Sequence, residues 1–214
     1  MKILPLAALC GAASLATIAL TDALWRANMP DTPSAWSLED GPEFMLRGLA
    51  LAHGIAYALF AAVLIRGGRT IDGGRRFPRI VRWVIVSGFA VFGILYTGLG
   101  FLDVRYAPTG IFEIATTAAF IATLLVPVLL GVALLRRREF RVPVVFLLSP
   151  VAVLPLTLVL ATVSTWAHPA YLETVVNSGV ALLGIAAIGV ESTPAVSGDA
   201  PSSMNRESRL QGAG

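Results

Sequence analysis

Six apolar stretches recur along this chain, at about 3–21, 46–65, 81–102, 111–135, 142–165 and 171–190. Each is close to the roughly 20 residues that a helix needs to cross a hydrocarbon core about 30 Å thick. Lipid supplies no water to satisfy bare backbone N–H and C=O groups, so only helices and closed barrels can span it. The stretches lack the alternation of apolar and polar residues that marks a barrel strand. They therefore predict an all-α fold, a polytopic integral membrane bundle of six transmembrane helices occupying residues 1–190. Composition agrees: charged residues make up 14% of the chain, against roughly 25% in an ordinary soluble domain. The net charge of +3 does not point to nucleic acid, because the arginines sit in short gaps between apolar runs instead of on a basic soluble face.

Those gaps set the expected orientation. Lys and Arg in short loops stay on the cytoplasmic side. The connection after the second stretch carries Arg66, Arg69, Arg75, Arg76, Arg79 and Arg82, and the one after the fourth carries Arg136, Arg137, Arg138 and Arg141. With Lys2, Arg206 and Arg209 they place thirteen of the sixteen basic residues on one side, leaving Arg26, Arg47 and Arg105 on the other. Asp22, Asp31, Glu39, Asp40, Glu43, Asp103, Glu113 and Glu173 all fall opposite the arginine-rich side. This pattern predicts a cell-membrane protein with both termini in the cytoplasm. Trp25, Trp36, Phe44, Tyr106, Trp166 and Tyr171 near outer ends, and Trp83 at an inner one, read as interface anchors.

Three segments stand apart from the spans. The first stretch follows Lys2 and could instead be a cleaved signal peptide, although it is long for one and lacks a convincing small-x-small site; cleavage would leave five helices in the same orientation. The connection from about Trp25 to Met45 contains Pro30, Pro33, Gly41 and Pro42, which exclude a long regular element and suggest a small cap over the bundle. The tail 191–214 turns to Ser, Pro, Gly and scattered charges and is expected to be disordered and cytoplasmic. Cys10, the one cysteine, reads as a small buried packing residue.

Helices in lipid associate through close packing, for which small residues are the means. Ala8, Ala12 and Ala16, then Ala115, Ala118, Ala119 and Ala122, then Ser178, Gly179, Gly184 and Ala187 supply them. Pro127, Pro150 and Pro155 remove backbone donors and should kink or open the fourth and fifth helices.

Polar residues at membrane depth are expensive and therefore candidates for function. His53 and Asn177 each lie about 9 Å inside the outer end of a span at the helical rise. By the rule that residues three, four or seven apart share a helix face, four helices carry a polar stripe in the outer half. These are His53 with Tyr57, Tyr96 with Asp103, Glu113 with Thr116 and Thr117, and Glu173 with Asn177. Facing one another, they would line a polar funnel open to the outside and closed by the apolar inner half. The plainer alternative makes Asp22, Asp103, Glu113 and Glu173 solvated helix-end residues, the last two favoured near helix starts by the macrodipole.

No P-loop or HExxH motif is present. His53 and His168 have no third metal or haem ligand in view, and Ser178 with His53 lacks the surroundings of a serine nucleophile. No catalytic residue, metal or cofactor is therefore expected, and an enzyme is the less favoured class. The expected partners are the lipid bilayer and, at the Arg66–Arg82 and Arg136–Arg141 connections, anionic lipid or a cytoplasmic protein. Two functions remain: a structural or accessory membrane protein, and a small transporter or sensor whose ligand enters the funnel from outside.

Overall fold

The computed structural model of the chain describes residues 3–34, 36, 41–102, 109–164 and 170–192. These residues form an all-α bundle. Its helices are α1 (Ile3–Asn28), α2 (Glu43–Arg66), the short α3 (Gly68–Asp72), α4 (Arg76–Phe101), α5 (Ile111–Leu124), α6 (Val126–Leu134), α7 (Arg141–Leu148), α8 (Pro150–Val163) and α9 (Ala170–Ser192), with a 3₁₀ turn at Arg138–Phe140. Counting α5 with α6, and the turn with α7 and α8, six helices are long and apolar enough to cross a membrane. That is compatible with a multi-pass membrane protein in contact with a bilayer. The tail beyond 192, expected to be disordered, lies outside the described residues.

Most helices outrun the apolar stretches that announce them. The first continues from the expected end at 21 to Asn28, and the third begins at Arg76 instead of 81. Apolar composition marks what touches lipid, while the i to i−4 hydrogen-bond ladder runs on through polar residues at the ends.

The two breaks fall where proline dictates. Pro127 and Pro150 each sit at the start of a new helix, after Leu125 and Ser149. Pro150 cannot bond the carbonyl of Phe146, and the Ser149 hydroxyl donates to that oxygen instead at 2.7 Å. Helix α8 continues through Pro155.

The centre of the bundle is the pairing of α2 with α4. The backbones come close at Gly54 and Gly93, where a Cβ on Gly93 would lie 3.6 Å from the Gly54 carbonyl. Beside them an aromatic layer fills the middle: Tyr57 stacks on Phe89 at 5.6 Å and Phe60 lies 5.4 Å from the same ring. Phe60 and Phe89 are fully buried. Small residues set the other contacts: Gly131 lies against Leu147 and Leu148, Gly179 against Phe146 and Leu147, and Gly184 against Val63. On α1 the buried stripe is Pro5, Ala8, Ala12 and Leu15. Cys10 is exposed, not buried as expected, because two residues past Ala8 the helix has turned about 200° to its other side.

At the arginine-rich end a buried ion pair anchors α3. Asp72 and Arg82 are 3% and 5% exposed. Arg82 Nε and Nη2 donate to the two Asp72 oxygens at 2.9 Å each, and Nη1 donates to the Leu64 carbonyl at 3.3 Å. Gly68 packs directly over the guanidinium, where a Cβ would come within 2.7 Å of Cζ. Arg137 holds the same turn from the next connection, donating to the carbonyls of Thr70 at 2.6 Å and Ile71 at 3.1 Å. Arg82 was expected among the loop charges; it faces the interior because Arg82, Ile85, Val86 and Phe89 share the core side of α4.

At the acidic end Arg47 has a comparable role. It pairs with Glu43 at 2.7 Å and donates to the carbonyls of Gly100 at 3.1 Å and Phe101 at 3.3 Å. A cation there satisfies the exposed carbonyls and negative dipole end of α4.

Candidate functional site

In the acidic half of the bundle α1, α2, α5 and α9 enclose a cavity of about 280 Å³. Its polar lining is Asp22 from α1, His53 from α2, and Glu173, Thr174 and Asn177 from α9; Leu15, Phe120 and Leu124 are among its apolar walls, and Trp36 borders it from the connection between α1 and α2. The volume is near the lower end of ligand pockets, which run from about 300 to 1,000 Å³.

Helical spacing creates the polar wall. Glu173 and Asn177 are one turn apart on α9, and the Asn177 amide donates to Glu173 Oε1 at 3.4 Å. From α2, the Tyr57 hydroxyl donates to the same oxygen at 2.5 Å, and His53 Nε2 lies 3.8 Å from it. His53 Nδ1 lies 2.9 Å from the Leu49 carbonyl. A carbonyl only accepts, so Nδ1 carries a proton and Nε2 is the variable position. A neutral His53 would turn a lone pair towards the Glu173 carboxylate. The pair is electrostatically matched when it holds one additional proton, on either member.

Aromatic rings fix this geometry. Tyr96 of α4 stacks on the imidazole at 4.9 Å with 23° between the planes, and Tyr57 is buried against Phe89 and Phe92. One turn further along α2 from His53, Tyr57 joins the aromatic layer of Phe60 and Phe89. The Glu173 side chain is 27% exposed.

Asp22 lies across the cavity, 7% exposed. It accepts a short hydrogen bond from the Ser34 hydroxyl and pairs with Arg26 Nε at 3.0 Å. Ser34 Oγ in turn accepts from the Trp36 N–H at 3.1 Å, and Trp25 Nε1 donates to the Thr32 carbonyl at 3.1 Å. These bonds fold the start of the connection between α1 and α2 back over the end of α1 and set Trp36 at the cavity.

Of the residues expected to form a funnel, His53, Glu173 and Asn177 line this cavity, and Tyr57 and Tyr96 contact those side chains. Asp103 lies outside the described residues. Glu113, Thr116 and Thr117 do not line it. Glu113 and Thr117 are exposed, and the Thr116 hydroxyl donates to the Phe112 carbonyl of its own helix at 2.9 Å. The stripe they begin continues through Phe120 and Leu124, and it is these apolar residues, one to three turns further along α5, that reach the cavity.

Asp22 was expected as a solvated helix-end residue, and Trp36 as an interface anchor. A signal for Asp22 existed: a carboxylate near the C-terminal end of a helix opposes the macrodipole and implies a specific partner. Nothing in the sequence marks Trp36 for the cavity, since only the Asp22 to Ser34 bond brings it there. Among the described residues, no three of His, Cys, Asp and Glu are grouped to hold a metal ion. Compared with known protein families, curated proteins and solved structures, the chain matches none.

Proposed function

We propose that this chain is a small membrane transporter or sensor whose ligand occupies the cavity between α1, α2, α5 and α9, entering from the side opposite the arginine-rich connections. The observation that carries the reading is the convergence of Asp22, His53, Glu173 and Asn177, from three helices, on one cavity. Polar groups that only completed helix ends would have no reason to meet there. Two carboxylates face the cavity, while their basic neighbour Arg26 is 57% exposed and is not part of its wall. Trp36 and Phe120 add aromatic faces. Such a lining suits a small ligand with a protonated nitrogen and an apolar body. A cationic ligand and a proton would compete for the His53 and Glu173 pair, linking occupancy to proton release.

Cysteine scanning tests the site. In a Cys10→Ala background, cysteine at 53, 173 or 177 should react with a membrane-impermeant thiol reagent applied from the outside. Protection at all three positions would remove the cavity from contact with the medium and return the protein to an accessory role. Orientation has its own test. A reporter fused after Gly214 should be active only in its cytoplasmic form; activity of a periplasmic reporter would reverse the proposed topology.

The accessory reading is favoured by one observation. Helix α8 packs mainly against α9 and α7 and buries only Pro150 among its fourteen residues. A partner helix could cover that surface, as could lipid.

A further inference from the structure

A second concavity shares no lining residue with the polar cavity. It is a groove of about 600 Å³ between α4 and α5. Gly88, Ala115, Ala118, Ala119 and Ala122 form its floor and one wall, and Ile80, Trp83, Val84 and Val91 form the other. Along α4 the groove runs from Arg79 to Val91, about 18 Å at the helical rise. That is close to the roughly 15 Å half-thickness of a bilayer's hydrocarbon core. The arginine marks one end and, Ser87 apart, apolar residues and glycine fill the rest, as head and chain do in a single lipid leaflet.

Charge distinguishes which lipid fits. Arg79 Nε lies 3.5 Å from Asp72 Oδ2, but that carboxylate is already bound by both arms of Arg82. Two guanidinium groups thus share one carboxylate, leaving one positive charge in excess. The Arg79 side chain, 56% exposed, is the one that faces outward. Arg76, one turn earlier on the same face, is exposed too. We infer that the groove between α4 and α5 binds one acyl chain of an anionic phospholipid whose phosphate pairs with Arg79. Trp83, 48% exposed along the groove wall, sits at the depth where an indole meets the head-group boundary.

Trp83 also supplies the readout. With Trp25, Trp36 and Trp166 replaced by phenylalanine, it is the remaining tryptophan of the four. The variant is reconstituted in phosphatidylcholine bilayers, and its fluorescence is titrated with brominated phosphatidylglycerol or brominated phosphatidylcholine. The phosphatidylglycerol should quench at about a fivefold lower mole fraction, the selectivity expected of one basic residue at an anionic surface. Arg79→Gln should bring the two curves together, and Arg79→Lys should keep them apart. Asp72 retains Arg82 in both variants, so the bundle keeps its anchor. Coincident curves in the parent, or a preference that survives Arg79→Gln, would overturn the inference. So would a lack of quenching by either lipid, because Trp83 would then be covered by a second copy or another protein.

Discussion

Each end of the bundle contains a carboxylate held by side chains from other elements, and the two are bound differently. At the arginine-rich end Asp72 takes a bidentate guanidinium and is almost fully buried. At the acidic end Glu173 faces an imidazole, a phenol and an amide beside a cavity. A guanidinium does not give up its proton under physiological conditions, so the first pair has one charge state and serves as a fixed staple. An imidazole has a neutral and a charged form, so the second is not locked as a fixed ion pair and can yield to a ligand. A carboxylate is a fixed staple in one place and open to a ligand in the other because of its partner and its exposure.

The largest expected effect breaks the staple. Arg82→Met leaves Asp72 buried with only the exposed Arg79, 3.5 Å away, as a counter-charge, which should cost up to about 3–5 kcal/mol. Thermal unfolding in detergent should show it as a large drop in midpoint. Adding Asp72→Leu should recover much of the loss, because removing both charges also removes the desolvation penalty. An Arg82→Met protein as stable as the parent would show that the pair is not an anchor.

A smaller effect tests the packing shared by both ends. Gly184→Ala places a methyl group against Val63, at a contact with no space for one. Overpacking of this kind should destabilise by about 1–3 kcal/mol in the same assay. Gly189 has open space around it, and Gly189→Ala should leave the midpoint nearly unchanged. Equal effects at the two positions would contradict the α2 to α9 contact.

The two carboxylate sites also differ in how far the sequence reveals them. The six spans are legible because lipid imposes one requirement on every stretch, about 20 apolar residues in a self-satisfied helix. The breaks at Leu125 and Ser149 follow from Pro127 and Pro150, whose missing N–H is a local fact. His53 with Tyr57, and Glu173 with Asn177, are visible as stripes through the helical period alone. Which stripes meet depends on tertiary packing. Glu113, Thr116 and Thr117 obey the same spacing, yet α5 turns Phe120 and Leu124 to the cavity from lower on that face. Arg82 and Arg137 look identical to their neighbours in a run of positive charges. Only the folded chain shows that they bind Asp72 and the Thr70 and Ile71 carbonyls.

At the acidic end, Ser34→Ala removes the hydroxyl that joins the connection between α1 and α2 to Asp22. The expected loss is about 1–2 kcal/mol, since a buried carboxylate forfeits a hydrogen bond while keeping Arg26. Trp36 should also move away from the cavity. A Ser34→Ala protein whose Trp36 fluorescence and stability both match the parent would separate the connection from the site.

The smallest effect on stability is expected from the residue on which the proposed ligand site most depends. Glu173→Gln keeps the shape, and the amide oxygen can still accept from Tyr57. Glu173 is partly exposed, so the change should alter stability by less than about 1 kcal/mol. Binding of a small amine such as methylammonium, followed by calorimetry as a function of pH, should respond much more. In the parent a proton and a cationic ligand compete for the pair, so acidification should weaken binding. In Glu173→Gln the amine should bind at least tenfold more weakly and with a flattened pH profile, because the carboxylate that both cations seek is gone. Unchanged binding in that variant would place any amine site away from the cavity, whereas a loss of binding together with unfolding would make Glu173 a second staple like Asp72 and erase the contrast between the two ends.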